Sequence, residues 1–380
     1  MQLKKSFLAF LSVALLLSGC KVSKDLKTDD KSKTTTETER KETTRAGDTV
    51  TVVRPFNVRY KDTTIYTYSY ETKSMIREIY DKDGNQRVDC ITDEIRELIE
   101  DLARQIVEDV KNHAPKYREF KREKKKDSHL LILDPADVHI GKLADSFETG
   151  EDYNSEIAVQ RVHEGIEGII RESEGWKKDQ IVLIGGNDIL HIDTPKRTTT
   201  SGTPQDTSGM WYDNFLKAKQ LYVDIIEMLI PIADVHFVFN PSNHDYTNGF
   251  FLADVVKSWF RNSKNVTFDC SISHRKYFQY YKNLIGTSHG DGAKTQDLPL
   301  LMAQEAARMW SDTDHRYFYI HHFHHKQSKD YAGVTVESLR SPSGTDSWHH
   351  RNGYQHAPKA VEGFVHHPEH GQIARLTHIF

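Results

Sequence analysis

Five short polar clusters carry residue types that bind divalent metals, and each stands just past an apolar run. Leu130-Leu131-Ile132-Leu133 leads to Asp137-Val138-His139, and Ile181-Val182-Leu183-Ile184 leads through Gly185-Gly186 to Asn187-Asp188-Ile189-Leu190-His191. Val235-His236-Phe237-Val238-Phe239 leads to Asn243-His244-Asp245. Leu284-Ile285-Gly286 leads to His289-Gly290-Asp291, and Tyr317-Phe318-Tyr319-Ile320 to His322-Phe323-His324. Carboxylate oxygen, amide oxygen and imidazole nitrogen together suit divalent Mn, Fe or Zn rather than Ca or Mg alone. Cysteine is missing from the clusters, which argues against a structural zinc knuckle. A carboxylate shared by two ions holds them roughly 3.5–4 Å apart, close enough to clamp a phosphoryl group. One D-x-H or H-x-H alone is commonplace; the weight lies in their order.

The elements that must position these residues follow from the apolar runs. Apolar runs of three to five residues ending in ligand types predict strands that deliver a site from their ends, which is an α/β arrangement. Of the 21 histidines, 19 lie after residue 130, so the chain has two unlike parts.

The ordered set D-x-H, Gly-rich turn into Asp, Asn-His-Asp, His-Gly-Asp and H-x-H resembles the calcineurin-like metallophosphoesterase superfamily across residues 129–380. The resemblance implies a four-layer α/β sandwich of two facing mixed sheets flanked by helices. It also implies a dinuclear site in which a metal-bridged hydroxide attacks a phosphodiester. On that pattern Asp137, His139 and His324 bind one metal, Asn243, His289 and His322 the other, and Asp188 bridges them, with Mn as the expected ion and Fe or Zn as alternatives. His244 is then the general acid, with Asp245 setting its orientation. His191 either contacts the scissile phosphate or supports the ligands from behind.

Asn187-Asp188-Ile189-Leu190-His191 is similar to the second motif of the Mre11/SbcD-type DNA repair nucleases, and phage phosphoesterases look alike. Nucleic acid is therefore the expected substrate, cut as by a DNA exonuclease. The alternatives are a phosphomonoesterase, a phosphodiesterase for small nucleotides or phospholipid head groups, or an inactive binding protein of the envelope. Three positions depart from the family pattern, which has glycine where this chain has Ser242, His321 and Asn187, and they put local turn geometry in question. His321 and His325 are expected to be bystanders, Asp134 and Asp291 supporting groups. Trp348-His349-His350 and His366-His367 lack spacing and strand context and carry no expectation.

The amino terminus reads differently. Lys4 and Lys5 precede an apolar run from Phe7 to Leu17, too short to span a bilayer, which closes with Leu17-Ser18-Gly19-Cys20. This resembles a bacterial lipoprotein signal peptide over residues 1–20, with lipid on Cys20 and a place in the cell envelope. A DNA repair nuclease works in the cytoplasm, so the alternative is a fused or unprocessed leader on a cytoplasmic enzyme. Residues 21–50 are too polar to offset their ordering entropy and are expected to be a tether. Residues 51–115 predict a small α+β module, with a strand around Tyr66, Tyr68 and Tyr70, a turn at Asp83-Gly84-Asn85 and a helix from Ile95 to Val110. Residues 116–128 form a basic run expected to be a solvated linker. Lys and Arg number 51 against 55 Asp and Glu, a formal charge of −4, which excludes binding of nucleic acid through bulk positive charge. Three cysteines exclude a disulfide scaffold.

Overall fold

The computed structural model describes residues 114–123 and 127–380, Arg104, and the backbone of three strands between residues 63 and 90. The expected leader with Cys20, the expected tether and, apart from Arg104, the helix expected over 95–110 lie outside the described residues. The chain divides into two compact units, residues 1–112 and 113–380. In the first, β1 (Thr63–Ser69), β2 (Ser74–Tyr80) and β3 (Gln86–Cys90) pair antiparallel in that order. The tyrosine-rich run supplies β1, and the turn expected at Asp83-Gly84-Asn85 lies outside the described residues.

The second unit holds two mixed sheets. One has six strands, β4 (His129–Asp134), β5 (Lys178–Gly186), β6 (Asp234–Asn240), β7 (Val266–Asp269), β13 (Ala360–His367) and β14 (Gly371–Ile379), in the order β14-β13-β4-β5-β6-β7. Strands β4 to β7 run parallel, and β13 lies antiparallel to β4. The other has five, β8 (Lys276–Tyr280), β9 (Asn283–Ser288), β10 (His315–Ile320), β11 (Gln327–Tyr331) and β12 (Val334–Ser338), in the order β11-β12-β10-β9-β8. Here β9, β10 and β12 run parallel. The helices are α1 (Ser146–Thr149), α2 (Ser155–Glu172), α3 (Trp211–Leu229), α4 (Tyr246–Trp259), α5 (Leu298–Glu305), α6 (Ala307–Asp312) and α7 (Ser347–Arg351).

Successive residues of a strand face opposite sides, and the apolar runs exploit both. Leu131, Leu133, Ile181, Leu183 and Phe237 pack with Val162 and Ile166 of α2, Leu221 and Ile225 of α3 and Leu252 of α4. Their neighbours Leu130, Ile132, Val182, Ile184 and Val238 meet Ile285, Tyr319 and Phe364 between the sheets. On the far side Leu284, Phe318 and Val336 pack on Leu298 and Met302 of α5. Helices, sheet, sheet and helices thus form the four-layer sandwich the motifs imply. Each of these fully buried side chains stabilises the fold by about 1.5–3 kcal/mol.

The basic run is a correction. Residues 114–122 are bound to the second unit rather than solvated: Tyr117 stacks on Phe260 at 5.0 Å and its hydroxyl donates to Glu227 at 2.7 Å. Phe120 N–H donates to Asn265 Oδ1 at 2.8 Å, and Arg122 pairs with Asp234. The aromatic residues between the charges bury against the core and bring the charges to fixed partners; Lys124, Lys125 and Lys126 lie outside the described residues.

Candidate metal centre

Parallel strands within each sheet bring their carboxyl ends to one edge, where ligands bind in open α/β sheets. Asp137 and His139 follow β4, Asp188 and His191 follow β5, Asn243 and His244 follow β6, His289 follows β9, and His322 and His324 follow β10. Gly186 allows the close approach of β5 and β6: with φ +77°, a Cβ there would stand 2.1 Å from the Asn240 carbonyl oxygen.

Three groups result, each with its ligating atoms within 4.8 Å of one another: Asp137, His139 and His324; Asp188, His289 and His322; and His139, His191 and His244. His139 Nε2 lies 3.3 Å from His324 Nε2, and His139 Nδ1 lies 3.3 Å from His191 Nδ1. His289 Nε2 lies 2.9 Å from Asn243 Oδ1 and 3.1 Å from Asp188 Oδ2. Its Nδ1 is buried with no hydrogen-bond partner, 3.9 Å from Asp137 Oδ1. All seven residues expected as ligands are therefore brought together.

Burial disfavours charge on His139, His191, His289, His322 and His324. It pushes His139 and His191 well below the ordinary histidine value, with His244 adding to the effect. His324 falls to about 4 through burial, against the pull of Asp137. His322 is lowered by burial and by His289. His289 is the exception: burial would lower it, but Asp188 and Asp137 lift it to about 9. Burial would raise Asp188 and Asp137, yet the imidazoles beside them hold both below the usual carboxylate range. The lowered imidazoles of His139, His191, His322 and His324, beside two ionised carboxylates, offer more lone pairs than protons. That donor set fits divalent cations of the Mn, Fe or Zn kind.

Two of the three departures from glycine, Ser242 and His321, are held by side-chain bonds, whereas both polar side-chain atoms of Asn187 are buried without a partner. Ser242 Oγ accepts from Asp188 N–H at 2.7 Å and donates to Asp245 Oδ1 at 2.6 Å, tying two ligand loops together. Asn187 takes φ 50°, a conformation asparagine tolerates better than most residues. His321 is fully buried; its Nδ1 donates to the Ser288 carbonyl at 2.9 Å and its Nε2 meets both oxygens of Asp134 at 2.9 and 3.0 Å. It joins the end of β4 to the end of β9 and is not in the three ligand groups.

The role expected for Asp245 is a correction. Its oxygens accept from Leu190 N–H at 2.9 Å and from Ser242, so it is turned into the loops. His244 is oriented instead by the His191 carbonyl, which accepts from His244 Nδ1 at 2.9 Å. Burial and the nearby Asp188 raise the Asp245 carboxyl to about 7.

Three residues beside the site carried no expectation. Lys142, 1% exposed, pairs through Nζ with Asp346 Oδ2 at 2.9 Å, and Asp346 Oδ1 accepts from His349 Nδ1 at 2.7 Å. The His349 ring stacks on His324 at 5.0 Å. The spacing Asp346-x-x-His349 is that of a helix cap followed by its first turn, a signal readable in sequence.

Solved structures are similar to this chain. An archaeal phosphodiesterase is 8% identical, with 66% of this chain and 99% of that one covered and a TM-score of 0.30. Vps29 from Entamoeba histolytica is 11% identical over the same shares, 66% and 99%, at 0.30. A Streptococcus pneumoniae protein described as a predicted phosphoesterase is 11% identical, covering 67% and 98%, at 0.25. No family model matches the sequence, and no curated protein matches it.

Proposed function

We propose that this chain is a divalent-metal-dependent phosphodiesterase of the calcineurin-like metallophosphoesterase superfamily that acts on nucleic acid. The observation that carries the reading is the meeting of two three-donor groups, Asp137–His139–His324 and Asp188–His289–His322, at the carboxyl ends of strands from both sheets. Asp137, His139 and His324 would hold one ion, and Asn243, His289 and His322 the other, with Asp188 shared; manganese suits the set, with iron or zinc as alternatives. Such a pair supplies positive charge against phosphate oxygens and lowers the pKa of water. His244 is the chain's own acid. Its Nδ1–H is committed to the His191 carbonyl, so Nε2 carries the proton to the departing alkoxide. His191 is 2% exposed and stacks on His244 at 5.3 Å, so it supports that ring from behind rather than contacting phosphate. A lipid on Cys20 would hold the enzyme at the bacterial envelope.

The test is hydrolysis by chelator-treated and Mn-restored protein of single-stranded DNA, duplex DNA, RNA, a nitrophenyl diester and a nitrophenyl monoester. Mn-dependent cleavage of nucleic acid and of the diester is expected. Full activity without metal, or cleavage of the monoester alone, refutes the reading.

A further inference from the structure

Among the described residues, two paths of ring contacts lead outward from the metal centre, a short one from His322 through Phe323 to His325 and a longer one through His349. The His139 and His324 centroids lie 5.2 Å apart, and His324 and His349 lie 5.0 Å apart, tilted by only 18°. His349 and Trp348 follow at 5.1 Å, then Trp348 and Tyr354 at 5.7 Å. The longer path starts on proposed metal ligands and ends in solvent, with Trp348 61% and Tyr354 62% exposed. Large aromatic residues usually bury most of their surface, so two neighbours left open at an active-site rim call for an occupant.

The short helix carrying Trp348 is anchored. Asp346 accepts from His349 N–H at 2.8 Å and from its Nδ1, and the buried Lys142 holds Asp346 in turn. Ser347 Oγ donates to Glu148 of α1 at 2.6 Å. His350 and Arg351 follow on the same helix and are exposed. Aromatic rings beside basic side chains, at a fixed reach from a phosphoryl site, match the way single strands are held: bases stack and the charges meet phosphates. With a formal charge of −4 the chain has no bulk attraction for a polyanion, so local contacts must supply affinity.

We propose that Trp348 and Tyr354 form a stacking platform for the nucleobase next to the scissile phosphate of a single-stranded nucleic acid. This rests on the phosphodiesterase reading above and names its substrate as single-stranded. A duplex keeps its bases stacked on one another and offers none to the platform.

The test compares labelled oligothymidylate with an abasic deoxyribose-phosphate oligomer of the same length, so that charge is equal and only the bases differ. Binding to the full chain is read by fluorescence anisotropy in chelator, and cleavage separately with Mn. Wild type is expected to bind oligothymidylate about tenfold more tightly, the worth of one stacked base. Trp348→Ala and Tyr354→Ala each shrink that preference, the double variant brings the ratio near one, and Trp348→Phe restores most of it. Equal binding of the two oligomers by wild type, or a preference that survives the double variant, overturns the platform. Base-selective binding without cleavage of any diester sinks the phosphodiesterase reading and leaves the platform standing. Cleavage with equal binding does the reverse.

Discussion

His244→Ala separates proton delivery from metal binding, and the structure says why the separation is clean. The bond from residue 244 to Asp188 is made by the backbone N–H, at 2.9 Å to Oδ1, and alanine keeps it. The substitution therefore leaves the Asp188 carboxylate in place and removes only the ring, whose Nδ1 is tied to the His191 carbonyl. General acid catalysis contributes about 10²–10⁴-fold, so kcat for a diester with an alkoxide leaving group should drop by that factor. Nitrophenolate departs without a proton, and the loss with a nitrophenyl diester should stay under about tenfold. His289→Ala is the contrast: it removes the imidazole between Asn243 and Asp188, so metal content and both rates should fall together. The assay is metal content by plasma emission plus both rates for both variants. Equal losses on the two substrates for His244→Ala, or depleted metal, would refute the reasoning.

His366 is fully buried, its Nε2 shares a hydrogen bond of 2.9 Å with the Tyr319 hydroxyl, and it is pushed down to about 3 by burial with His315 adding. The unfolded chain takes up this proton near pH 6.5 and the native state does not, so stability is full above that value and is lost as pH falls toward 3. The slope is about 1.4 kcal/mol per pH unit. In chelator, urea unfolding from pH 6.5 to 5 should therefore cost wild type about 2 kcal/mol more than His366→Gln, and equal slopes would contradict the assignment. Ser242→Gly, which restores the residue of the family pattern, should destabilise by about 1–3 kcal/mol because Asp188 N–H loses its buried acceptor; an unchanged melting temperature argues otherwise. Cys20→Ser should move the mature protein out of the membrane fraction and abolish lipid labelling, whereas unchanged fractionation points to a leader that is not processed as a lipoprotein.

The proposed ligands could be picked out of the sequence because each sits within a few residues of its strand. Short continuous apolar runs announce β4, β5, β6, β9 and β10, and the chemistry follows at their ends, so reading the loop and reading the strand are one act. Lys142, Asp346 and His349 could not be read this way. Lys142 meets Asp346 only after the chain has built the second sheet and returned, and no local pattern encodes that meeting. Asp245 shows the converse. Adjacent to His244 in sequence, it bonds Ser242 and Leu190 instead, because the tight turn before α4 directs consecutive side chains apart. In the basic run, the clue was Tyr117 and Phe120 placed among the charges, since aromatic residues at such spacing give a charged segment a surface to bury.

Glycine at positions 187, 242 and 321 would relax the turns by backbone freedom; this chain holds them by contacts. Ten described residues other than glycine have positive φ, and six of them are Asp137, His139, Asn187, Asp188, His322 and His324. Such conformations cost on the order of 1–3 kcal/mol each and persist only where the surroundings over-determine them. Here Asp137 N–H donates to Asn187 O at 2.9 Å, His139 N–H to Asp188 O at 2.8 Å, and His322 N–H to the Asp137 carboxylate at 3.0 Å. Asp137, His139, Asp188 and His322 are thus each fastened to another ligand loop. The hydroxyl of Ser242 and the imidazole of His321 add cross-links that glycine cannot make, so side-chain bonds do here what conformational freedom would do with glycine. A centre fastened in this way presents its donors before any ion arrives.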